Sequence, residues 1–187
     1  MRIIAGRWKG TRLASPAGAK TRPTTDRVKE SVFSILGYHI EQARVLDLCA
    51  GTGSLGLEAL SRGAESAVFV EKSGKALGLI RENCAKVRAG HVRIIRGDAL
   101  RYIRNWDPSA EPFSLIFFDP PYRGGLYRPV LEAIDQSPVL REGGIIMVEH
   151  GRDQVLRESY QTLMIMDNRR YGDTQISLIT RQKEVNQ

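Results

Sequence analysis

Four apolar runs in this chain, "VLDL", "AVFVE", "RIIRGD" and "FSLIFFD", each carry an acid at or beside the carboxyl end: Asp47, Glu71, Asp98 and Asp119. Runs that are apolar at nearly every position, rather than at alternate ones, mark strands covered on both faces. Segments with helical spacing separate them. "TTDRVKESVFSIL" places Val28, Val32, Phe33 and Leu36 on one stripe, and "SLGLEALSRG" stops at Gly63. "SGKALGLIRENCAKVRAG" aligns Leu77, Ile80 and Cys84; "ALRYIRNW" and "LYRPVLEAIDQS" follow, the latter with Pro129 in its first turn. "GGIIMVEH", "YQTLMIMDNRRYG" and "TQISLITRQ" read as three further strands, the last two joined by a short turn and suited to antiparallel pairing. Repeated β-α units of this kind dictate an α/β fold with a buried, mainly parallel sheet. In such a sheet the carboxyl ends of the strands share one rim, where ligands bind. The four acids are expected to gather on it.

At 187 residues the chain has the length of one domain with a short appendage. It has no apolar run long enough to span a bilayer, and "MRIIAGRWKG" is too short in apolar residues for a signal peptide. Cys49 and Cys84, with no C-x-x-C and no histidine cluster nearby, read as reduced thiols of a cytoplasmic protein, and no metal site is expected. Charge is unevenly spread. Residues 1–29 hold eight basic side chains against one acid, Asp26, whereas the rest of the chain is balanced, so the whole net charge of +7 sits in this arm. With Trp8 inside it and the strand-like "RIIAGRWKG" at its start, the arm reads as an ordered basic patch for a nucleic-acid backbone. A solvated tail is the competing reading.

The first β-α junction, "VLDLCAGTGSLGLEAL", places Gly51, Gly53 and Gly56 in the G-x-G-x-x-G spacing, and Glu71 ends the next strand. Glycine lets the backbone turn sharply and a ligand approach closely, and an acid at the second strand's tip can accept both hydroxyls of a ribose. The spacing alone is shared by several nucleotide-binding folds, and Gly56 has packing as an equally good reason to be there. Asp47 near the loop suits an ammonium group and Asp98 an adenine amine. Ammonium, ribose diol and adenine together describe S-adenosyl-L-methionine better than a nicotinamide dinucleotide.

Asp119 opens "DPPY". Prolines cannot donate to a sheet ladder, so the strand must stop there. Asp119 and the Pro120 carbonyl are left as acceptors, Pro121 stiffens the turn, and Tyr122 offers a flat π face for a nucleobase. An exocyclic aromatic amine is the fitting substrate: its N–H groups meet the acceptors while its ring stacks on the tyrosine.

"DPPY" and "DLCAGTGSLGLEALSRGA" resemble the amino-methyltransferases of the class I fold. More closely, "RIIAGRWKG", "RPTTDRVKESVFSIL", "LEALSRGA" and "RRYGDTQISLI" resemble the RsmD family, the small-subunit ribosomal RNA guanine-N2 methyltransferases, over residues 1 to about 181. The resemblance implies a Rossmann-like sheet of seven strands in the order 3-2-1-4-5-7-6, with helices on both faces, the last strand antiparallel and a small N-terminal β-hairpin. It divides the chain into a basic hairpin extension (1–23), a methyltransferase domain (24–182) and a frayed tail (183–187). Carried over by position, Asp47, Gly51, Gly53, Glu71 and Asp98 would bind S-adenosyl-L-methionine, and Asp119, Pro120, Pro121 and Tyr122 would do the chemistry. Arg2, Arg7, Trp8, Lys9, Arg12, Arg22 and Thr24 would meet RNA. The expected partner is ribosomal RNA in the assembled or assembling small subunit, and the expected state is a monomer. A DNA adenine-N6 methyltransferase and a non-catalytic RNA-binding protein on the same fold are the competing readings.

Overall fold

The computed structural model describes residues 1–16, 23–121, 125–157 and 160–182; Arg22, Tyr122 and the tail 183–187 lie outside the described residues. Among the described residues five α-helices and seven strands follow one another: α1 (Pro23–Leu36), β1 (Arg44–Leu48), α2 (Ser54–Ser61), β2 (Ser66–Glu71), α3 (Gly74–Lys86), β3 (Val92–Arg96), α4 (Ala99–Arg104), β4 (Phe113–Phe118), α5 (Tyr127–Asp135), β5 (Leu140–Gly151), β6 (Leu163–Tyr171) and β7 (Thr174–Arg181). A 3-10 turn, Gly37–Ile40, which periodicity does not disclose, links α1 to β1. The strands form one sheet in the order β3-β2-β1-β4-β5-β7-β6. β1 to β5 run parallel, and β7 pairs antiparallel with both β5 and β6.

Side-chain parity explains the two-sided core. Val45, Phe69, Leu115, Phe117 and Met147 point to the face covered by α1, α2 and α3. Leu46, Val70, Ile116, Phe118 and Val148 point to the face covered by α4 and α5. Every residue of β4 is buried, whereas the edge strands β3 and β6 alternate with solvent. Chain reversal in strand order falls between β1 and β4, so the rim there opens a crevice where the loops part to opposite faces.

The basic arm is built into this body. Arg2 bridges antiparallel to Arg12, and Ile3 and Leu13 are buried with the α1–α3 core. Each such burial is worth about 1.5–3 kcal/mol. The floor of the arm is the "LEALSRGA" segment. Glu58, fully buried on α2, accepts the backbone N–H groups of Ile4 (2.8 Å) and Ala5 (3.0 Å) and pairs with Lys29 (3.1 Å) and Arg62 (2.8 Å). Ser61 Oγ donates to Ala5 O and accepts from Trp8 N, while Ser61 O accepts from Arg7 N. Gly6 is obligatory at this contact: its φ is +80°, and a Cβ there would lie 1.8 Å from Ser61 O. Asn83 of α3 holds the arm's second segment, accepting from Ala14 N (2.6 Å) and donating to Ala14 O (3.1 Å).

Candidate active site

The loop after β1 folds over the crevice in three left-handed steps, at Cys49 (φ 59°), Gly51 (φ 56°) and Gly53 (φ 75°). Gly53 ends the loop as the N-cap of α2. Gly56 serves packing: a Cβ there would come within 2.4 Å of the Phe69 ring. Asp47 braces the loop from beneath. It is buried, shares the sheet face of Val45, and accepts the Gly56 N–H at 2.9 Å. Glu71 braces it from the side, accepting from Gly51 N (2.8 Å) and Ser73 N (2.7 Å). Asp98 caps α4 through Arg101 N (3.2 Å) while keeping its second oxygen toward Lys72 (4.0 Å).

Between these loops lies a cavity of about 730 Å³, lined by Gly51, Glu71, Asp98, Asp119, Pro120 and Leu126 among others. Three of the four acids read from strand ends therefore face it, together with Gly51. Asp47 and Gly53 are not among its lining residues; they shape its loop. A second cavity of about 380 Å³ opens on the other side of Asp119, between α1, the tip of β5 and the β6–β7 turn. Asp119 is the one described residue that lines both. The backbone of Pro120 is fixed by Tyr127, a fully buried ring whose hydroxyl lies 3.5 Å from Pro120 O and 3.3 Å from Glu149 O. Pro120 O is thus not left wholly to a ligand, as its place beyond the ladder suggests, but shares this hydroxyl with the neighbouring strand end.

The electrostatics of the crevice are one-sided. Burial pushes the Asp47 carboxyl up to about 8, against the Gly56 hydrogen bond, with Glu71 adding to the rise. Asp119 is accessible from the crevice yet surrounded by protein on most sides; desolvation, then the nearby Glu149 and Asp47, hold it well above the usual carboxylate range. Desolvation followed by Glu71, Asp47, Asp119 and Asp98 raises the Cys49 thiol to about 12, so at neutral pH it is neither a nucleophile nor a soft ligand. Lys72, 83% exposed, is the one cation among the described walls of the larger cavity. Such a field favours a bound cation.

The arm's charges divide into two groups. Arg2 pairs with Asp26 (3.1 Å), and Arg7 donates to Leu60 O (2.9 Å) while lying 4.5 Å from the centroid of Trp8. Lys9 and Arg12 stand exposed. Thr24 is described only as part of the first turn of α1. Two residues at the crevice escaped the sequence reading. Tyr127 carries no motif signal. Glu149 does: it is the acid that follows "IIMV" where β5 runs on past the end of β4, and the register Phe118↔Val148 brings it beside Asp119.

This sheet order, with a glycine loop after the first strand and acids around the rim, is that of a class I methyltransferase. Residues 1–180 match the family model described as conserved hypothetical protein 95, and the chain belongs to that family, the RsmD family its motifs resemble. YlbH of Bacillus subtilis is 39% identical over 179 residues, covering 95% of this chain and 97% of its own. The ribosomal RNA small subunit methyltransferase D of Escherichia coli is 36% identical over 149 residues, covering 80% of this chain and 74% of its own. The solved structure of yhhF from Escherichia coli superposes with a TM-score of 0.87 at 32% identity, covering 97% of this chain and 98% of that one.

Proposed function

We propose that the protein transfers a methyl group from S-adenosyl-L-methionine to the exocyclic N2 amine of a guanine in small-subunit ribosomal RNA. The observation that carries this reading is the place of Asp119 on the wall between two cavities, one suited to a methyl donor and one open to a base. The donor set of the larger cavity fits the cofactor: Glu71 for a ribose diol, Asp98 for an adenine amine, and a negative field for a sulfonium. When bound, the cofactor supplies an electrophilic methyl group. The exposed Lys9 and Arg12 supply phosphate contacts, and the small-subunit name of the Escherichia coli relative supports the RNA class.

Asp119 acts mainly by position. The N2 lone pair of guanine is delocalised into the ring and nucleophilically weak. General-base help contributes roughly 10²–10⁴-fold, whereas orientation supplies about 7–11 kcal/mol. Asp119 accepts an N–H of the amine and fixes its plane. Proton loss follows once the nitrogen has become cationic and acidic, and a carboxylate of raised pKa is a competent acceptor at that stage. The target base must first leave its stack to reach this depth.

Labelled S-adenosyl-L-methionine offered with separate ribosomal RNA, assembled small subunits, transfer RNA and DNA tests the reading. After digestion to nucleosides, label is expected in N2-methylguanosine from small-subunit RNA. Label in DNA N6-methyladenine, or in none of the pools, overturns it.

A further inference from the structure

The sequence reading gives no function to the smaller cavity, nor to the "RRYGDTQ" segment that borders it. Its walls are the tip of β5 with Glu149, the turn Tyr171–Thr174, and Lys29 and Val32 of α1, with Asp119 at its mouth to the cofactor side. Three features fix this wall. The parallel register sets Asp119 and Glu149 side by side. The Tyr127 hydroxyl bridges the backbone carbonyls of Pro120 and Glu149. Tyr171 is tied to Ser31 of α1 through their hydroxyls, which anchors the β6–β7 turn against the body. At about 380 Å³ the space lies within the range of small-molecule pockets, roughly 300–1,000 Å³.

We infer that this cavity receives the extruded base and that Glu149 is the residue that selects guanine, accepting N1–H and one N2–H while Asp119 accepts the other N2–H. The inference rests on the function proposed above and assigns the substrate side of that site.

The chemistry singles out guanine among the four bases. Its N1–H and N2–H lie side by side and in plane, a donor pair that matches the two oxygens of a carboxylate. Adenine offers one amine beside a bare N1 acceptor, which a carboxylate repels. Glu149 lies close enough to Asp119 to disfavour its charge, and the N–H donors of a guanine would lie between the two carboxylates. With both N2–H bonds held in the ring plane, the lone pair stands perpendicular to it. Glu149 is a specificity-determining residue in this arrangement, and Asp119 the one at the reacting atom.

Once the labelled guanine is mapped, RNA carrying guanine or 2-aminopurine at that position separates the roles. 2-Aminopurine keeps the exocyclic amine but presents N1 as an acceptor. Under single-turnover conditions the wild-type protein should prefer guanine by about 10- to 100-fold, the scale of one bidentate base contact. In Glu149→Gln the amide can donate to N1 and accept from N2–H, so the ratio should fall toward one, with 2-aminopurine turnover maintained or raised. Calorimetry with S-adenosylhomocysteine should give unchanged affinity, which certifies the fold and the cofactor side. A guanine preference equal to that of the wild type, or equal losses on both bases, overturns the role of Glu149. A label mapped to an atom other than guanine N2 in the wild-type reaction instead removes the functional reading itself, and this inference with it.

Discussion

Glu58 on α2 is fully buried, Asp119 after β4 opens onto the crevice, and their surroundings are opposite. Glu58 is met by two backbone N–H groups, by Arg62 and by Lys29, so its charge is answered on every side. Asp119 faces Glu149 and Asp47. The first arrangement closes the basic arm onto the body. The second sets like charges against Asp119 in a crevice, which a folding requirement alone does not explain. A structural carboxylate is recognised here by its partners, and a working one by the like charges set beside it.

Breaking the satisfied site should cost the most. Glu58→Ala leaves Lys29 buried without its partner and frees the arm's first strand. A loss of about 3–5 kcal/mol is expected, read as a shift of the denaturant midpoint at constant slope. Lys29 is pushed down chiefly by burial and held up by Glu58, so the variant can shed part of the penalty by losing the lysine proton. Substituting Glu58→Gln should retain part of the stability, because the amide oxygen still accepts from the arm. A midpoint unchanged in both variants would mean the arm is not fastened here.

Asp119→Ala should do the reverse: little stability lost, and a methylation rate lower by on the order of 10² or more, as lost orientation can produce. Single-turnover rates at saturating RNA and cofactor check this. A near-normal rate would reduce "DPPY" to a turn.

The contrast also marks how far sequence reasoning reaches. Acids at strand ends are legible because a parallel sheet puts all carboxyl ends on one rim, and Glu71, Asp98 and Asp119 do line the larger cavity. Asp47 is different. It lies inside β1, one residue before the strand's end, where it is covered by α2 and accepts from Gly56 rather than reaching the cavity. Glu149 obeys the same strand-end rule one strand further on. Apart from the i,i+4 pair of Glu58 with Arg62, the arm's floor had no local signal, because Glu58, Ser61 and Asn83 meet their partners in the arm 53 to 69 residues away. Only the fold brings such pairs together. Truncating the arm would therefore strip Glu58 and Asn83 of partners as well as removing charge.

Two smaller effects sharpen the comparison without disturbing the core. Glu71→Ala should weaken S-adenosyl-L-methionine binding by about 1.5–3 kcal/mol, the scale of hydrogen bonds to a charged group. Because Glu71 also braces Gly51, calorimetry should show the loss for S-adenosylhomocysteine too; equal affinity for both variant and wild type would take Glu71 out of the site. Replacing the exposed Lys9 and Arg12 with Gln should leave stability unchanged. The slope of log affinity for RNA against log salt should shrink by about one to two units. An unchanged slope would make the arm a structural element only.

The smallest effect follows from protonation. The Asp47 and Asp119 carboxyls both titrate higher in the folded protein than the ordinary 3.8. Between 3.8 and their folded values the native state binds more protons than the unfolded chain. Their contribution to stability is then fully present below 3.8 and is lost as pH rises through the folded values, about 8 for Asp47. Other groups, including His39 and His150 with lowered pKa values, titrate in the opposite sense as pH falls, so the total profile mixes several terms. The difference between wild type and Asp119→Asn isolates the relevant one. The variant carries no charge at this position, so it should gain stability relative to wild type as pH rises from 5 to 8, with the two converging toward acid. Unfolding midpoints of wild type and Asp119→Asn that diverge across that range are the expected result; parallel curves would mean that the neighbours of Asp119 do not oppose its charge.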